Sequence, residues 1–143
     1  MTPKDIIEKL KMQPHPEGGW YAETYREQPK DGGRGASTCI YYLLEKGQSS
    51  HWHKVTDADE VWHWYAGEAL LLSLSKDGQD VSDIVLGPDL LNGQQPQGIV
   101  PADVWQAAKP LGEWVLVGCT VAPAFDFNSF VMAPDDWAPG KDL

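Results

Sequence analysis

The sequence predicts an all-β fold, a single sandwich or barrel of the jelly-roll kind preceded by one short helix. Three observations predict it. Short runs rich in aromatic and β-branched residues recur from Trp20 to Val121, each bounded by Gly, Pro, Asp or Asn. Helical spacing of apolar residues is confined to the stretch before Pro14, so the alternation of helix and strand that marks a parallel α/β sheet is missing. The 143 residues fill one domain, since domains cluster at roughly 100 to 150 residues and a second core would be short of side chains.

Thr2 and Pro3 stand where an N-cap and a first helical residue belong, and Ile6, Ile7 and Leu10 follow at helical spacing. His15-Pro16-Glu17-Gly18-Gly19 then reads as a turn. Strands are expected near Trp20 to Arg26, Ser37 to Leu44, Ser50 to Val55, Val61 to Tyr65, Ala69 to Ser75, Val81 to Leu86, Ile99 to Ala107 and Trp114 to Val121. Loops rich in breakers fall at Gln28 to Gly35, Lys76 to Gln79 and Gly87 to Gly98. The acidic, Pro-rich tail from Pro134 to Leu143 is expected to pack loosely over the strands, anchored by Trp137. No repeat, low-complexity stretch or compositional shift marks a linker, so one domain is expected over residues 1–143.

Hydrophobic residues make up 42% and charged residues 22%, the balance of a packed globular chain rather than a disordered one. A net charge of −10 opposes contact with phosphate backbones, which demand Lys and Arg, so nucleic acid is not an expected partner. The first residues carry charges throughout, unlike a secretory leader, and no apolar run reaches the length of a membrane span; a cytoplasmic protein is expected. Cys39 and Cys119 sit in apolar, strand-like runs and are expected as buried thiols in a reducing compartment.

Three of the four His lie between His51 and His63. On a strand, residues two apart share a face, so His51 and His53 would present two imidazoles together with Trp52 opposite. A hairpin through Thr56 to Asp59 could bring Glu60 against them, giving two nitrogens and one carboxylate with room for water or substrate. Such a donor set suits Fe(II), Mn(II), Ni(II) or Zn(II). Polar residues that line a pocket or the surface with no ion explain the same spacing equally well.

The run His51-x-His53-x6-Glu60-x6-Gly67, preceded by Gly47, resembles the first cupin motif, whose usual form is a Gly, an HxH pair, a Glu and a closing Gly. In place of the second cupin motif stands Pro101-Ala102-Asp103-Val104-Trp105-Gln106, with Asp103 at the Gly position and Gln106 at the position of the remaining His ligand. The resemblance implies a divalent metal held by His51, His53, Glu60 and Gln106, the last through its amide oxygen. Four longer segments, from His15 to Arg26, Asp59 to Gly67, Val100 to Ala108 and Val121 to Phe127, are similar to a small single-domain cupin family catalogued as a domain of unknown function, the fifth cupin domain type. That similarity implies a conical barrel, a small-molecule ligand and commonly a homodimer. It places His53, Glu60, His63, Trp105 and Gln106 in the family's motif segments, with His53, Glu60 and His63 as candidate catalytic residues. On an unbroken strand His63 points away from the face of Glu60, so its catalytic role requires a bulge.

Glu17-Gly18-Gly19-Trp20-Tyr21-Ala22-Glu23 also resembles RmlC-like sugar-nucleotide epimerases of the rhamnose pathway, with Glu17 where those enzymes carry Arg. An acid there repels a diphosphate. Arg26 and Arg34 remain as anion contacts or as solvated charges. The epimerase resemblance implies an imidazole base and a tyrosine acid, for which His53 or His63 would pair with Tyr21, Tyr41 or Tyr65. Trp20, Trp52, Trp62, Trp64 and Trp105 are expected to fill the core or a dimer interface rather than stack on substrate. Asp126, between Phe125 and Phe127, stands either at a barrel mouth or in an exposed turn. Three functions stay open: a metal-dependent cupin enzyme, a metal-free isomerase or epimerase, and a non-catalytic binding module.

Overall fold

Helix α1 (Pro3–Leu10) is fixed at its start by a reciprocal pair of hydrogen bonds. The Thr2 hydroxyl accepts from the Asp5 amide at 3.2 Å, and the Asp5 carboxylate accepts from the Thr2 amide at 2.9 Å. Lys11 ends it in the left-handed conformation, φ 55°. Its apolar stripe lies on a sheet face, where Ile6 packs with Met12 and Leu43.

The computed structural model describes residues 1–143 and follows the helix with eleven strands. These are β1 (Gln13–Pro14), β2 (Trp20–Arg26), β3 (Thr38–Glu45), β4 (Ser50–Val55), β5 (Asp59–Gly67), β6 (Leu70–Ser75), β7 (Ser82–Leu86), β8 (Gln97–Val100), β9 (Trp105–Pro110), β10 (Trp114–Ala122) and β11 (Phe130–Met132). A six-stranded sheet runs β1-β2-β3-β10-β5-β8 and a five-stranded one runs β11-β4-β9-β6-β7. All their pairings are antiparallel. The expected jelly roll is therefore what the chain forms. Its two sheets remain separate hydrogen-bonded ladders rather than one closed ring. The inner faces meet over Tyr42, Leu44, Trp62, Leu70, Leu72 and Val117, all fully buried.

The expected strand from Ile99 to Ala107 divides in two. Residues up to Val100 pair with β5 in the larger sheet, and those from Trp105 pair with β4 and β6 in the smaller. The handover needs a sharp corner, which Asp103 makes at φ 65° while its amide donates to the Val55 carbonyl at 2.8 Å. That is the position where the cupin motif carries Gly, and Asp is among the few side chains that tolerate this conformation. The tail docks as expected on the outer face of the smaller sheet. Trp137 packs between Trp105 and Trp52, with ring centroids 4.8 Å and 6.1 Å away. Cys39 and Cys119 are free thiols. They sit one register step apart on opposite faces of the larger sheet, Cys119 inward and Cys39 outward against the Thr120 hydroxyl.

Candidate functional site

The site is shaped by an irregularity in β4. Ser50 pairs with Ala108 and His53 with Gln106, so three steps along β4 face two along β9. This bulge breaks the alternation of faces. Ser50, His53 and Val55 turn inward, whereas His51 and Trp52 both turn out toward the tail. His51 Nε2 bonds the Pro134 carbonyl at 2.8 Å. The expected side-by-side imidazoles of His51 and His53 are therefore corrected: the His51 ring is a clasp for the tail and does not reach the pocket.

His53 is buried with both ring nitrogens engaged. Nδ1 lies 2.7 Å from the His51 carbonyl, which can only accept, so Nδ1 carries a proton. Nε2 lies 3.2 Å from Glu17 Oε2. The other Glu17 oxygen accepts from the Ser50 hydroxyl at 2.9 Å. Glu17 is held in place by its turn. Its amide donates to His15 Nδ1 at 3.1 Å, its carbonyl accepts from the His51 amide at 3.0 Å, and the Tyr42 hydroxyl donates to the Gly18 carbonyl. Gly18 and Gly19 take φ 112° and 78°, and a Cβ on either would strike the backbone of Ser49 or Leu43. Since His15 Nδ1 accepts from an amide, it is a neutral ring, and its 3.9 Å approach to Glu17 is no ion pair.

A lone pair on His53 Nε2 cannot face a carboxylate oxygen at hydrogen-bond distance without a proton between them. Burial raises the pKa of Glu17 and lowers that of His53, and both shifts favour the uncharged arrangement. At this distance the pair holds one shared proton, and both shifts favour its resting on Glu17. Glu60 faces the same cavity from β5, and burial, reinforced by Glu17, raises its pKa as well. The Cys119 thiol beside it is pushed well up by burial and stays protonated.

Gln106 is inward and buried, but its oxygen is not free. That oxygen accepts from Trp62 Nε1 at 2.8 Å, and its amide nitrogen donates to Glu60 Oε1 at 2.9 Å. An indole N–H can only donate, so the amide orientation is dictated by chemistry. Gln106 positions Glu60 instead of ligating a metal. The donor set implied by the cupin motif thus does not come together. His51 faces the tail, the Gln106 oxygen serves Trp62, His53 Nε2 is taken by Glu17, and no three His, Cys, Asp or Glu side chains converge as a metal site.

His63 is also corrected as a pocket residue. The strand runs without a bulge from Glu60 through His63, so His63 keeps the outward parity. Its ring stacks on Tyr65, with centroids 6.3 Å apart, and its Nε2 lies 3.1 Å from the Thr120 hydroxyl. Tyr41 packs against Tyr65 on that outer side, which leaves Tyr21 as the one candidate tyrosine lining the cavity.

The cavity holds about 80 Å³ of space for water-sized occupants and widens at its mouth, where the open space counted with solvent reaches about 630 Å³. His15, Glu17, His53 and Glu60 are joined on its walls by Tyr21, Glu23, Arg26 and Cys119, and Phe125, Phe127 and Phe130 form an aromatic wall. No Trp lines it, in keeping with the expected structural role of those rings. Asp126 accepts from the Asn128 amide at 2.9 Å and caps the turn Phe127–Ser129, the plainer of its two readings. Arg34 ties Asp57 to the Ala124 carbonyl. Glu17 was missed as an acid because the sequence shows it as a lost Arg, and the Phe wall was missed because its residues lie beyond the strongly patterned strands.

Residues 4–133 match the family described as Cupin superfamily (DUF985). A protein of Shewanella oneidensis is 34% identical, with 93% of this chain and 85% of that one covered and a TM-score of 0.87. A hypothetical protein from Leishmania major is 30% identical over 91% of this chain and 86% of its own, TM-score 0.80. A dTDP sugar isomerase from Desulfovibrio desulfuricans shares the fold at 15% identity, covering 81% and 85%, TM-score 0.61. No curated protein matches the chain. A motif match spanning almost the whole domain, on a jelly roll whose pocket opens between its two sheets, places the chain in the Cupin superfamily (DUF985) family.

Proposed function

We propose that the pocket is the active site of a small-molecule enzyme of the isomerase or epimerase type, which moves protons without a bound metal. The observation that carries this reading is the buried Glu17–His53 pair, 3.2 Å apart and sharing one proton, opposite a second buried acid, Glu60. Two proton-transfer groups on facing walls suit a carbon acid next to a carbonyl. The substrate proton passes to a Glu17 oxygen as the shared proton moves onto His53 Nε2, so the pair then holds two, and the C–H electron pair moves onto the carbonyl oxygen. Glu60, whose pKa burial raises, returns a proton to carbon. The resulting imidazolium and Glu60 carboxylate attract each other across a cavity of low polarity. Tyr21, whose oxygen accepts from Gln13 Nε2 at 3.2 Å, keeps its own proton to donate to the substrate oxygen. In this reading His53 and Glu60 take the catalytic roles, with Glu17 in place of His63.

The test is solvent deuterium incorporation into a panel of carbonyl sugars and hydroxy ketones. Incorporation that falls by about 10²- to 10⁴-fold in Glu60→Gln and His53→Gln, with melting behaviour retained, supports the assignment. No incorporation across the panel refutes it. So does a stoichiometric Fe, Mn, Ni or Zn whose removal abolishes turnover, which would restore the metal-dependent reading.

A homodimer is proposed through the outer face of the larger sheet. Tyr25, Cys39, Thr120, Val61 and Ile99 form one row across it by strand register, with Tyr25 and Ile99 53% and 60% exposed. Sedimentation at micromolar concentration tests it. No helix is long and apolar enough to cross a membrane. The two free thiols support a reducing, cytoplasmic setting.

A further inference from the structure

The charge arrangement at the mouth of the cavity restricts what can enter. Four ionisable side chains of acidic or strongly basic type line it: Glu17, Glu23, Arg26 and Glu60. Arg26 is the sole guanidinium or ammonium among them, and it is already occupied. Its Nε and Nη2 donate to the two oxygens of Glu23 at 3.0 Å and 3.1 Å, a fork on a fork, and its Nη1 donates to the Phe125 carbonyl at 3.0 Å. A phosphate or carboxylate entering this cavity would find its one guanidinium already paired and no free cation. The remaining wall is apolar, with the Phe125, Phe127 and Phe130 rings set edge to face at 4.9 Å to 6.0 Å, and Phe127 64% exposed at the rim.

We propose that Glu23, by occupying Arg26, acts as a specificity residue that sets the pocket for an uncharged, oxygen-bearing ring and against phosphorylated or carboxylated forms of the same molecule. This rests on the small-molecule reading of the pocket and sharpens it. The C–H face of a sugar-like ring packs on the Phe wall, as apolar ring faces do on aromatic side chains. Its hydroxyl and carbonyl oxygens turn to Tyr21, Glu60 and the Glu17–His53 pair. The specificity then comes from an unpaired charge imposed on the wrong ligand more than from a contact made to the right one.

The experiment titrates the full-length protein with matched pairs, each an unphosphorylated aldohexose and its 6-phosphate, by calorimetry and amide chemical shifts. In the native protein the neutral member binds, shifting resonances around Phe127 and His53, and the phosphate does not. In Glu23→Gln the freed guanidinium gains the anion, so the phosphate-to-neutral affinity ratio rises by about tenfold or more. In the double variant Glu23→Gln/Arg26→Gln that gain disappears, which separates a charge effect from loosening of the mouth. Binding of phosphates by the native protein, failure of every neutral hexose to bind, or an unchanged ratio in Glu23→Gln would each overturn the inference. Neutral hexoses that bind without incorporating deuterium would remove the catalytic reading and support this one; deuterium incorporated into a phosphorylated member would do the reverse.

Discussion

Replacing Glu17 separates a shared proton from an ion pair. In Glu17→Gln the amide can donate to His53 Nε2 and accept from the Ser50 hydroxyl, so both hydrogen bonds of the native acid are reproduced without a titratable group. If the native pair is uncharged, stability at pH 5 changes by no more than about 1 kcal/mol, the net value of one neutral hydrogen bond. Glu17→Ala leaves two buried groups, His53 Nε2 and Ser50 Oγ, without partners. At about 1 to 3 kcal/mol each, and with water able to enter from the cavity, a loss of about 2 to 4 kcal/mol is expected. The pH dependence follows from the direction of the shift. Because the folded-state pKa of Glu17 is raised, its contribution to stability is complete below the ordinary 4.5 and is lost as pH rises through the folded value. Glu17→Gln has no such loss, so it gains on the native protein by up to about 1.4 kcal/mol per pH unit until that folded value is passed. Urea unfolding at pH 5 and pH 8 measures both quantities. A native imidazolium–carboxylate pair would give the opposite result: Glu17→Gln would be about 3 to 5 kcal/mol less stable at both pH values, because a buried charge would lose its partner. That outcome would refute the shared-proton argument.

His15 and His53 have folded-state pKa values lowered by burial, so their stability contribution is complete above 6.5 and falls as pH drops toward the folded values. Between pH 4.5 and 6.5 the His groups add stability as pH rises while the carboxyl groups remove it. Glu17→Gln, which lacks one opposing contribution, should therefore show a melting temperature that climbs more steeply with pH over this range than the native protein; an equal or shallower climb would contradict the assigned shifts. Trp62→Phe removes the donor that fixes the Gln106 amide. It should cost about 1 to 3 kcal/mol in urea unfolding and move the acidic limb of any pH–rate profile, because Gln106 no longer holds Glu60 in one geometry. Trp137→Ala removes a buried ring from the tail's contact with Trp105 and Trp52. Limited proteolysis should then cut after Ala133 at least about tenfold faster while the jelly-roll core melts within a few degrees of native, in line with local rather than global opening.

The strands, the helix and the inward or outward placement of most residues were legible because each depends on patterns local to a few positions. Val61, Trp62 and His63 alternate as written, and Trp137 anchors the tail as expected. What was not legible depends on one residue of register. The β4 bulge is invisible in Ser50-His51-Trp52-His53, since no Gly or Pro marks it and the HxH spacing imitates an ordinary strand face. The break at Asp103 has a visible signal in the residue standing where the motif carries Gly, a position that calls for the left-handed backbone.

These local departures act together on the chemistry. Turning His51 outward removes one imidazole and supplies its carbonyl to His53 Nδ1, which fixes the tautomer that leaves Nε2 facing Glu17. Placing Gln106 where the motif has His would leave an amide oxygen to ligate, but Trp62 takes that oxygen and turns the N–H toward Glu60. Glu17, where the epimerase-like run has Arg, then brings an acid to the nitrogen that a metal would otherwise require. Each change alone would leave a weakened metal site. With all of them, His51, His53 Nε2 and the Gln106 oxygen are each engaged by a neighbouring side chain or carbonyl, and no fully buried side-chain polar atom is left without a partner. A network satisfied in this way favours proton movement over ion capture, because binding a cation would first break the His53–Glu17 contact and expose a buried carboxylate. Restoring the metal ligand tests that reasoning: Gln106→His combined with Glu17→Ser frees His53 Nε2 and presents a second imidazole beside Glu60. The double variant should gain Zn(II) or Ni(II) affinity that the native protein lacks, read by calorimetry as about a 10²-fold tighter constant. Equal affinity in the two proteins would mean that Glu17 and Gln106 are not what excludes the ion.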